Sequence, residues 1–430
     1  MYNNNNYLLN INNQTYINLY NFNDVIQMNK IYNNYDSNSN NNNQYNSILD
    51  NGYDFEYNHI NKKNLNNDIN NNNYNNINNF ENNMGIITDC FKKNNYQDNE
   101  ENLNYQNEKI ILVGLNNLGS TCFMNSVIQA LNTIIDFSDK ICSLNIKSSS
   151  FPITTALKEV FYNLRKPENH PYNPLEFYST ICKYSPKFIE KKPNDSRQLL
   201  QYILDSIHNE LNINKNEKYM IEDNSEETNW NEKLNYEINS FNFENKSIIT
   251  DLFYGILANE THCNNCNKIS YVFQHFNILT LPIFTKNNDK INLKDMIEDY
   301  SKEQNLIKKN NYCLICKDYH EAKSKNVFYK LPSILIIYPG RKNYGVKYNI
   351  KINFERELSI ELSKNLDNKI ISYNLISIIY HLGSCGEKGH NVALCNKNDI
   401  WFMFNDSEIT IIDISSISGE GILLLIYQQK

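Results

Sequence analysis

The stretch GLNNLGSTCFMNSVIQALN, Gly114 to Asn132, places one cysteine behind two glycines and a row of small polar residues, then continues as an amphipathic repeat. Phe123, Val127, Ala130, Leu131, Ile134 and Ile135 follow helical spacing, and Thr121 is the expected N-cap. Cys122 therefore opens a helix, where the positive end of the peptide dipole favours a thiolate. Gly119 lets the chain turn sharply before the helix and lets a substrate backbone come close. Asn117 can offer a side-chain amide to a developing oxyanion. The same pattern also suits a buried helix cysteine. A nucleophile needs a base, and something to orient that base.

Outward from this stretch the composition divides the chain. Asn supplies 38 of the first 100 residues. Asn runs with scattered Tyr and Lys cannot bury enough apolar surface to offset the entropy of ordering, so residues 1–108 are expected to be a disordered low-complexity region. MYNNNNYLLNINN has neither a basic start nor an apolar core and is not expected to act as a secretory signal. Residues 109–430 carry frequent apolar runs, enough for one large domain or two intimate subdomains. The runs are strand-sized, so no membrane span is expected. A net charge of −7 argues against nucleic acid and leaves basic protein partners open. Ten cysteines without a secretory signal suggest thiols and metal ligands in an intracellular protein, cytoplasmic or nuclear.

Helical patterns come first. DSRQLLQYILDSIHNELN puts Leu199, Leu200, Ile203, Leu204, Ile207 and Leu211 on one face, with Asp195 or Ser196 as its cap. EDNSEETNWNEK reads as a loop. SIITDLFYGILANET, KISYVFQHFNILTLPI, KNVFYKLPSILIIYPG, YNLISIIYHLG, DIWFMFND and EGILLLIYQQK then read as strands. Helices followed by an antiparallel sheet predict an α+β fold.

Cys263 and Cys266 form one C-x-x-C pair and Cys313 and Cys316 another, each in a polar knuckle. Two such pairs match the tetrahedral, all-cysteine coordination of structural zinc, with no position left open for chemistry. Among the eight histidines, His59 lies in the Asn-rich region and His208 on the amphipathic helix. His381 and His390 frame HLGSCGEKGHN, a Gly-rich loop between strands, and His390 stands where that loop re-enters a strand. Asn405 and Asp406 end a following strand, and either can accept a hydrogen bond from the imidazole.

GLNNLGSTCFMN resembles the cysteine box of the ubiquitin-specific proteases, and YNLISIIYHLGSCGEKGHN with W and FND after it resembles their histidine box. DLFYGILANETHCNNC, the second cysteine pair, LPSILIIYPGRK and the closing GILLLIY follow in the family's order, from about Glu108 to Lys430. The resemblance implies a papain-like cysteine peptidase with a thumb, a palm and zinc-ribbon fingers at about residues 250–330. It implies Cys122 as nucleophile, His390 as general base, Asn405 as the residue orienting it, Asp406 as a second candidate for that role, and Asn117 as oxyanion donor. The implied activity is hydrolysis of the isopeptide or peptide bond after the C-terminal glycine of ubiquitin, through a thiol acyl-enzyme, with ubiquitin or ubiquitinated proteins as partners.

Three departures from the family pattern stand out, the mildest being Ser120 and Phe123 where the family commonly has Asn and Tyr. Asn391 stands where the family has Tyr beside the histidine, which loosens the channel for the glycine tail. Asp195 of the family's acidic motif is retained, but its second carboxylate is Gln198, and Arg197 sits beside it. Asp195, Gln198 and Asn391 are thus the expected substrate-binding positions, and a cation at 197 should repel a basic tail. These changes spare the bond-breaking residues. Two other outcomes fit the same pattern: a ubiquitin-binding module without turnover, and a peptidase for another ubiquitin-like modifier.

Overall fold

The computed structural model describes residues 110–146, 149–189, 194–220, 230–283, 290–340, 342–343, 346–347, 350–363, 369–383 and 389–430. The expected low-complexity region 1–108 lies outside the described residues, as do the tip of the His381–His390 loop and most of EDNSEETNWNEK.

Helices dominate the first half. They are α1 (Cys122–Thr133), α2 (Ile135–Ser143), α3 (Pro152–Asn163), α4 (Leu175–Tyr184), α5 (Ser196–Leu211), α6 (Trp230–Glu244), α7 (Ile248–Phe253) and, between strands, α8 (Leu293–Ser301). The strands begin with β1 (Gly255–Cys263), β2 (Ile269–Phe276), β3 (Leu279–Pro282), β4 (Lys290–Asn292) and β5 (Gln304–Leu306). Two short pieces, β6 (Tyr312–Cys313) and β7 (Asp318–Tyr319), precede β8 (Ala322–Lys330) and β9 (Ile334–Gly340). After β10 (Lys342–Asn343), β11 (Val346–Lys347) and β12 (Lys351–Asn353) come β13 (Glu357–Glu361) and β14 (Ile370–Leu382). β15 (His390–Lys397), β16 (Ile400–Asn405), β17 (Glu408–Ile411) and β18 (Ile422–Gln429) complete the set.

The main sheet runs β17-β16-β15-β14-β18-β9-β3, with β13 also pairing β14. Its centre is buried on both faces, and the sequence shows why. In β9, Ile334 and Ile336 pack with the helices while Leu335 and Ile337 enter a second core on the other side. In β18, Leu424 and Ile426 point one way and Leu425 and Tyr427 the other. Successive strand residues face opposite sides, so an uninterrupted apolar run is what a doubly covered strand requires. Each of these side chains contributes on the order of 1.5–3 kcal/mol when fully buried. A separate four-stranded sheet, β2-β1-β8-β5, carries the cysteine pairs at its far end.

α1 is covered on nearly every side, lying on β15 and against α5. Gln129 donates from Nε2 to the Val113 carbonyl at 2.8 Å, tying the helix to the strand-like segment before it. α5 is fixed at its start by Asp195, whose side chain accepts from the backbone N–H groups of Arg197 and Gln198. Buried His208 closes the other end, its Nδ1 2.8 Å from Ser247 Oγ. It is a packing residue.

Four expectations need correction. Thr121 occupies the cap position of α1 but does not cap it; its hydroxyl accepts from Leu118 N and donates to Asn117 Oδ1 instead. SIIT opens α7 rather than a strand, because Ser247 caps the turn by accepting from Thr250 N, which outweighs its β-branched residues. Trp230 begins a helix, where the loop expectation failed because α6 buries only a thin stripe: Leu234, with Ile238 partly covered. The strands are also not all antiparallel, since β3 pairs β9 and β4 pairs β12 in parallel.

Gly114 sits under the turn after β16. A methyl group at this position would stand 2.6 Å from the Ser407 carbonyl oxygen and 2.8 Å from that of Asp406, both backbone atoms. Gly114→Ala should therefore destabilise the domain by about 1–3 kcal/mol. A chemical-denaturation midpoint equal to that of the unsubstituted protein would show that the turn yields freely.

Candidate active site

Residues 117–121 form a short polar coil that delivers Cys122 to the helix start. Asn117 Oδ1 accepts from Gly119 N at 3.0 Å, Thr121 N at 3.1 Å and Thr121 Oγ at 3.3 Å. Gly119 and Ser120 both have positive φ, 93° and 58°. The coil thus turns back on itself before the helix, which Gly allows and Ser tolerates at some strain. Cys122 is 4% exposed.

His390 is brought to Cys122 by the sheet. β15 begins at His390, directly opposite Leu382 of β14, and α1 lies across β15. The imidazole and the thiol lie close enough to interact. Asn405 Oδ1 lies 2.6 Å from His390 Nε2, at the end of the adjacent strand β16. Nε2–H therefore donates to Asn405, which leaves Nδ1 as the nitrogen for the thiol. The Asp406 carboxylate is farther, its Oδ2 at 3.6 Å from Nε2. Of the two orienting candidates, Asn405 makes the hydrogen bond and Asp406 supplies charge.

Asp406 does more than that. It adopts φ 52°, and its backbone carbonyl accepts from Leu115 N at 2.8 Å. Its Oδ2 accepts from Asn117 Nδ2 and its Oδ1 from Asn125 Nδ2, each at 2.8 Å. One of the two amide protons of Asn117 is thus committed to Asp406. Asn125 is 2% exposed and was not singled out by the sequence reading. The signal was present: a polar side chain on the covered face of an amphipathic helix, three residues after the cysteine.

Burial pulls the His390 imidazole down, because charge is costly there. The hydrogen bond and charge of Cys122, the charge of Asp406 and the Asn405 hydrogen bond oppose this and together push it up to about 9. The site is built to hold an imidazolium.

The expected substrate-binding residues fall into two groups. Asp195 and Gln198 are exposed at the start of α5, with Asp195 Oδ1 already accepting from Arg197 N at 2.8 Å. This helix end is close to the thiol, since Ser196 Oγ donates to the Phe123 carbonyl at 3.3 Å. Asn391 is 6% exposed in β15, opposite His381, and its Oδ1 has no hydrogen-bond partner among the described residues. His381 packs against Gly389, where a Cβ would fall 1.7 Å from its Nε2.

The four cysteines Cys263, Cys266, Cys313 and Cys316 converge between β1 and the β6–β7 pair, with all Sγ atoms within 4.8 Å of one another. Cys263 and Cys316 are 3.9 Å apart, and Cys266 and Cys313 are 3.7 Å apart. Four sulfurs about 2.3 Å from a tetrahedral ion stand roughly 3.8 Å from each other, so this cluster fits a metal ion. Asn265 Nδ2 and Cys316 N donate to two of the sulfurs, at 3.4 and 3.5 Å.

The ubiquitin carboxyl-terminal hydrolase family model matches residues 113–427. Ubiquitin carboxyl-terminal hydrolase 2 of Bos taurus is 29% identical over 343 residues, covering 74% of this chain and 55% of that protein. The Homo sapiens protein of the same name is 28% identical over 344 residues with the same coverage. The chain thus spans about half the length of the curated relatives it matches. A SAGA DUB module structure, Ubp8/Sgf11/Sus1/Sgf73 bound to ubiquitin aldehyde, shares the fold at TM-score 0.57 and 24% identity, over 74% of this chain and 70% of that one. A yeast SAGA DUB module structure matches at TM-score 0.55 and 25% identity, over 74% and 68%. Matched across both the cysteine and the histidine segments, this chain belongs to the ubiquitin carboxyl-terminal hydrolase family.

Proposed function

We propose that the protein is a deubiquitinating cysteine peptidase. The observation that carries this reading is the contact of Cys122 with a His390 imidazole whose far nitrogen is held by Asn405 at 2.6 Å. The similarity to a module solved with ubiquitin aldehyde supports ubiquitin as the substrate.

In this reading the Cys122 proton rests on His390 Nδ1 as an imidazolium, and the thiolate attacks the carbonyl carbon of ubiquitin's terminal glycine. The oxyanion is met by the second amide proton of Asn117 and by the backbone N–H groups of Cys122 and Phe123 at the start of α1, since those of Met124 and Asn125 already donate to the Thr121 carbonyl. The imidazolium returns its proton to the departing lysine amine. Water, deprotonated by His390, then attacks the thioester and releases Cys122. The charge of Asp406 favours the imidazolium throughout.

Cys263, Cys266, Cys313 and Cys316 would hold a zinc ion. With four protein ligands it would act structurally, joining the ends of β1 and the β6–β7 pair. Binding free energy at such a site is on the order of 10–16 kcal/mol and adds to folding.

Cys122→Ala should abolish hydrolysis of a fluorogenic ubiquitin substrate without unfolding, since Ala suits a helix start. Substantial residual turnover would remove Cys122 from this role. His390→Ala should cost about 10²–10⁴-fold in kcat, and His381→Ala far less. Labelling of Cys122 by ubiquitin with an electrophilic C-terminus separates an enzyme from a mere reader.

The pH dependence follows from His390. With its conjugate acid pushed up to about 9, kcat/KM should hold through neutral pH and fall above, with a midpoint near 9. Asp406→Asn keeps a side chain that tolerates positive φ but removes the charge, so the alkaline limb should move to lower pH. A limb that stays in place would show that Asp406 does not act on the imidazole.

Metal analysis of reduced, folded protein should find about one zinc per chain. Cys313→Ala should release it and lower the stability of the β2-β1-β8-β5 sheet, while Cys122 remains reactive towards a small alkylating agent. Retention of zinc in that variant would contradict the four-sulfur site.

A further inference from the structure

On the face of the main sheet away from α1 lies a cavity of about 450 Å³, a size that suits a small ligand. One wall is the parallel pair β4–β12, and the other is the turn from Ile414 to Gly419 that precedes β18. The floor is apolar. Ile352 and Ile414 are buried in the core on that side, and Phe354 and Ile417 pack against the same core. The helix that Cys122 opens packs in the other core, so the cavity is separate from the thiol. A methyl group at Gly419 would fall 1.8 Å from the Ile352 carbonyl oxygen, so the turn lies directly on β12 and the two walls are joined. The cavity is thus formed before any ligand arrives, which spares the cost of ordering it.

Three cations line it, in a chain whose net charge is −7. Lys290 and Lys351 are register partners on β4 and β12, on strands roughly 5 Å apart. Like charges placed side by side across a ladder repel. Arg356 adds a third positive charge. None of the three forms an ion pair among the described residues. Asp413 feels the Arg356 charge, but both of its oxygens serve its own turn. Oδ1 accepts from Ser415 N at 2.9 Å, and Oδ2 accepts from Ser415 Oγ at 2.6 Å. Glu355, adjacent to Arg356 in sequence, faces Lys294 and Asp295 instead. The cavity therefore keeps a surplus of positive charge above an apolar floor. A carboxylate would answer one of the three cations. A phosphate monoester carries nearly two charges and three acceptor oxygens at neutral pH, enough for two ammonium groups and a guanidinium fork.

We propose that this cavity binds a phosphorylated side chain of a protein segment, with an apolar neighbour of that side chain on the floor. Lys290 and Lys351 would share the phosphate as point charges, and Arg356 would take two of its oxygens along the edge of the guanidinium. Phe354 and Ile417 would receive the apolar neighbour, which a free phosphate lacks. Such a site selects phosphorylated partners without touching the thiol, so it stands or falls independently of the peptidase reading.

The test titrates the full chain, by calorimetry, with a capped pentapeptide in which phosphoserine is flanked by leucines. The same peptide with plain serine, and inorganic phosphate, are the comparisons. The phosphopeptide should bind about tenfold more tightly than either, and less tightly as salt is added. Lys290→Gln combined with Lys351→Gln should weaken it about tenfold, and Arg356→Gln by a similar factor. Lys140→Gln, an equal loss of charge at an exposed position of α2, should change nothing. No binding of the phosphopeptide, equal binding of the serine peptide, or a loss from Lys140→Gln as large as that from the cavity variants would overturn the proposal. Equal affinity for inorganic phosphate would also overturn it, marking a site for the free ion. Thermal unfolding checks the fold of each variant. Lys290→Gln should leave Tm unchanged or raise it, because it removes one of two like charges.

Discussion

The Asp406 carboxylate joins two halves of the molecule that are far apart in sequence. One oxygen takes an amide proton from Asn117, ahead of the cysteine, and the other takes one from Asn125, within the helix that the cysteine opens. The residue itself sits just past the strand that ends at Asn405, whose side chain holds His390. The distance between thiol and imidazole is thus set by a single side chain bonded on both sides. Positive φ at Asp406 turns its carbonyl towards Leu115 N and closes the same joint through the backbone. Gly114 lies against this turn so closely that a side chain there has no room.

This joint rests on a sheet with cores on both faces. α1 lies on β15 and buries apolar side chains in the same core as Ile379, Leu424 and Ile426 of the sheet, so Cys122 cannot move away from His390 without exposing core residues. The cysteine cluster, by contrast, lies at the end of the separate β2-β1-β8-β5 sheet, whose apolar side chains pack with α6 and α8 rather than with α1. The reactive pair and the cysteine cluster therefore rest on different packing surfaces.

Much of this was legible because the determining residues have local signatures. Cys122 sits behind a glycine turn, the cysteine pairs have ligand spacing, and β9 and β18 announce burial on both faces by unbroken apolar runs. What escaped the sequence depended on pairings between distant segments. Asn125 is an ordinary helix residue until Asp406 arrives from 281 positions away. The choice between Asn405 and Asp406 needed strand geometry, since adjacent residues differ in direction rather than in chemistry. Arg197 shows the same limit: its charge is visible in sequence, but the neighbouring Tyr338 ring is not. Thr121 and Ser247 show the limit of local capping rules, where two similar hydroxyls took different partners.

The strand order has a consequence for how the molecule comes into being. β18 lies in the middle of the main sheet, between β14 and β9, although it follows both in the chain. During synthesis, β9 and β14 are therefore made with a gap between them that nothing can fill until residues 422–429 leave the ribosome. Until then the inner edges of both strands, with their apolar faces, remain open to unwanted pairing. Closing that gap draws together segments separated by long loops, a step expected to be slow. The nascent chain is thus most in need of a chaperone just before β18 arrives.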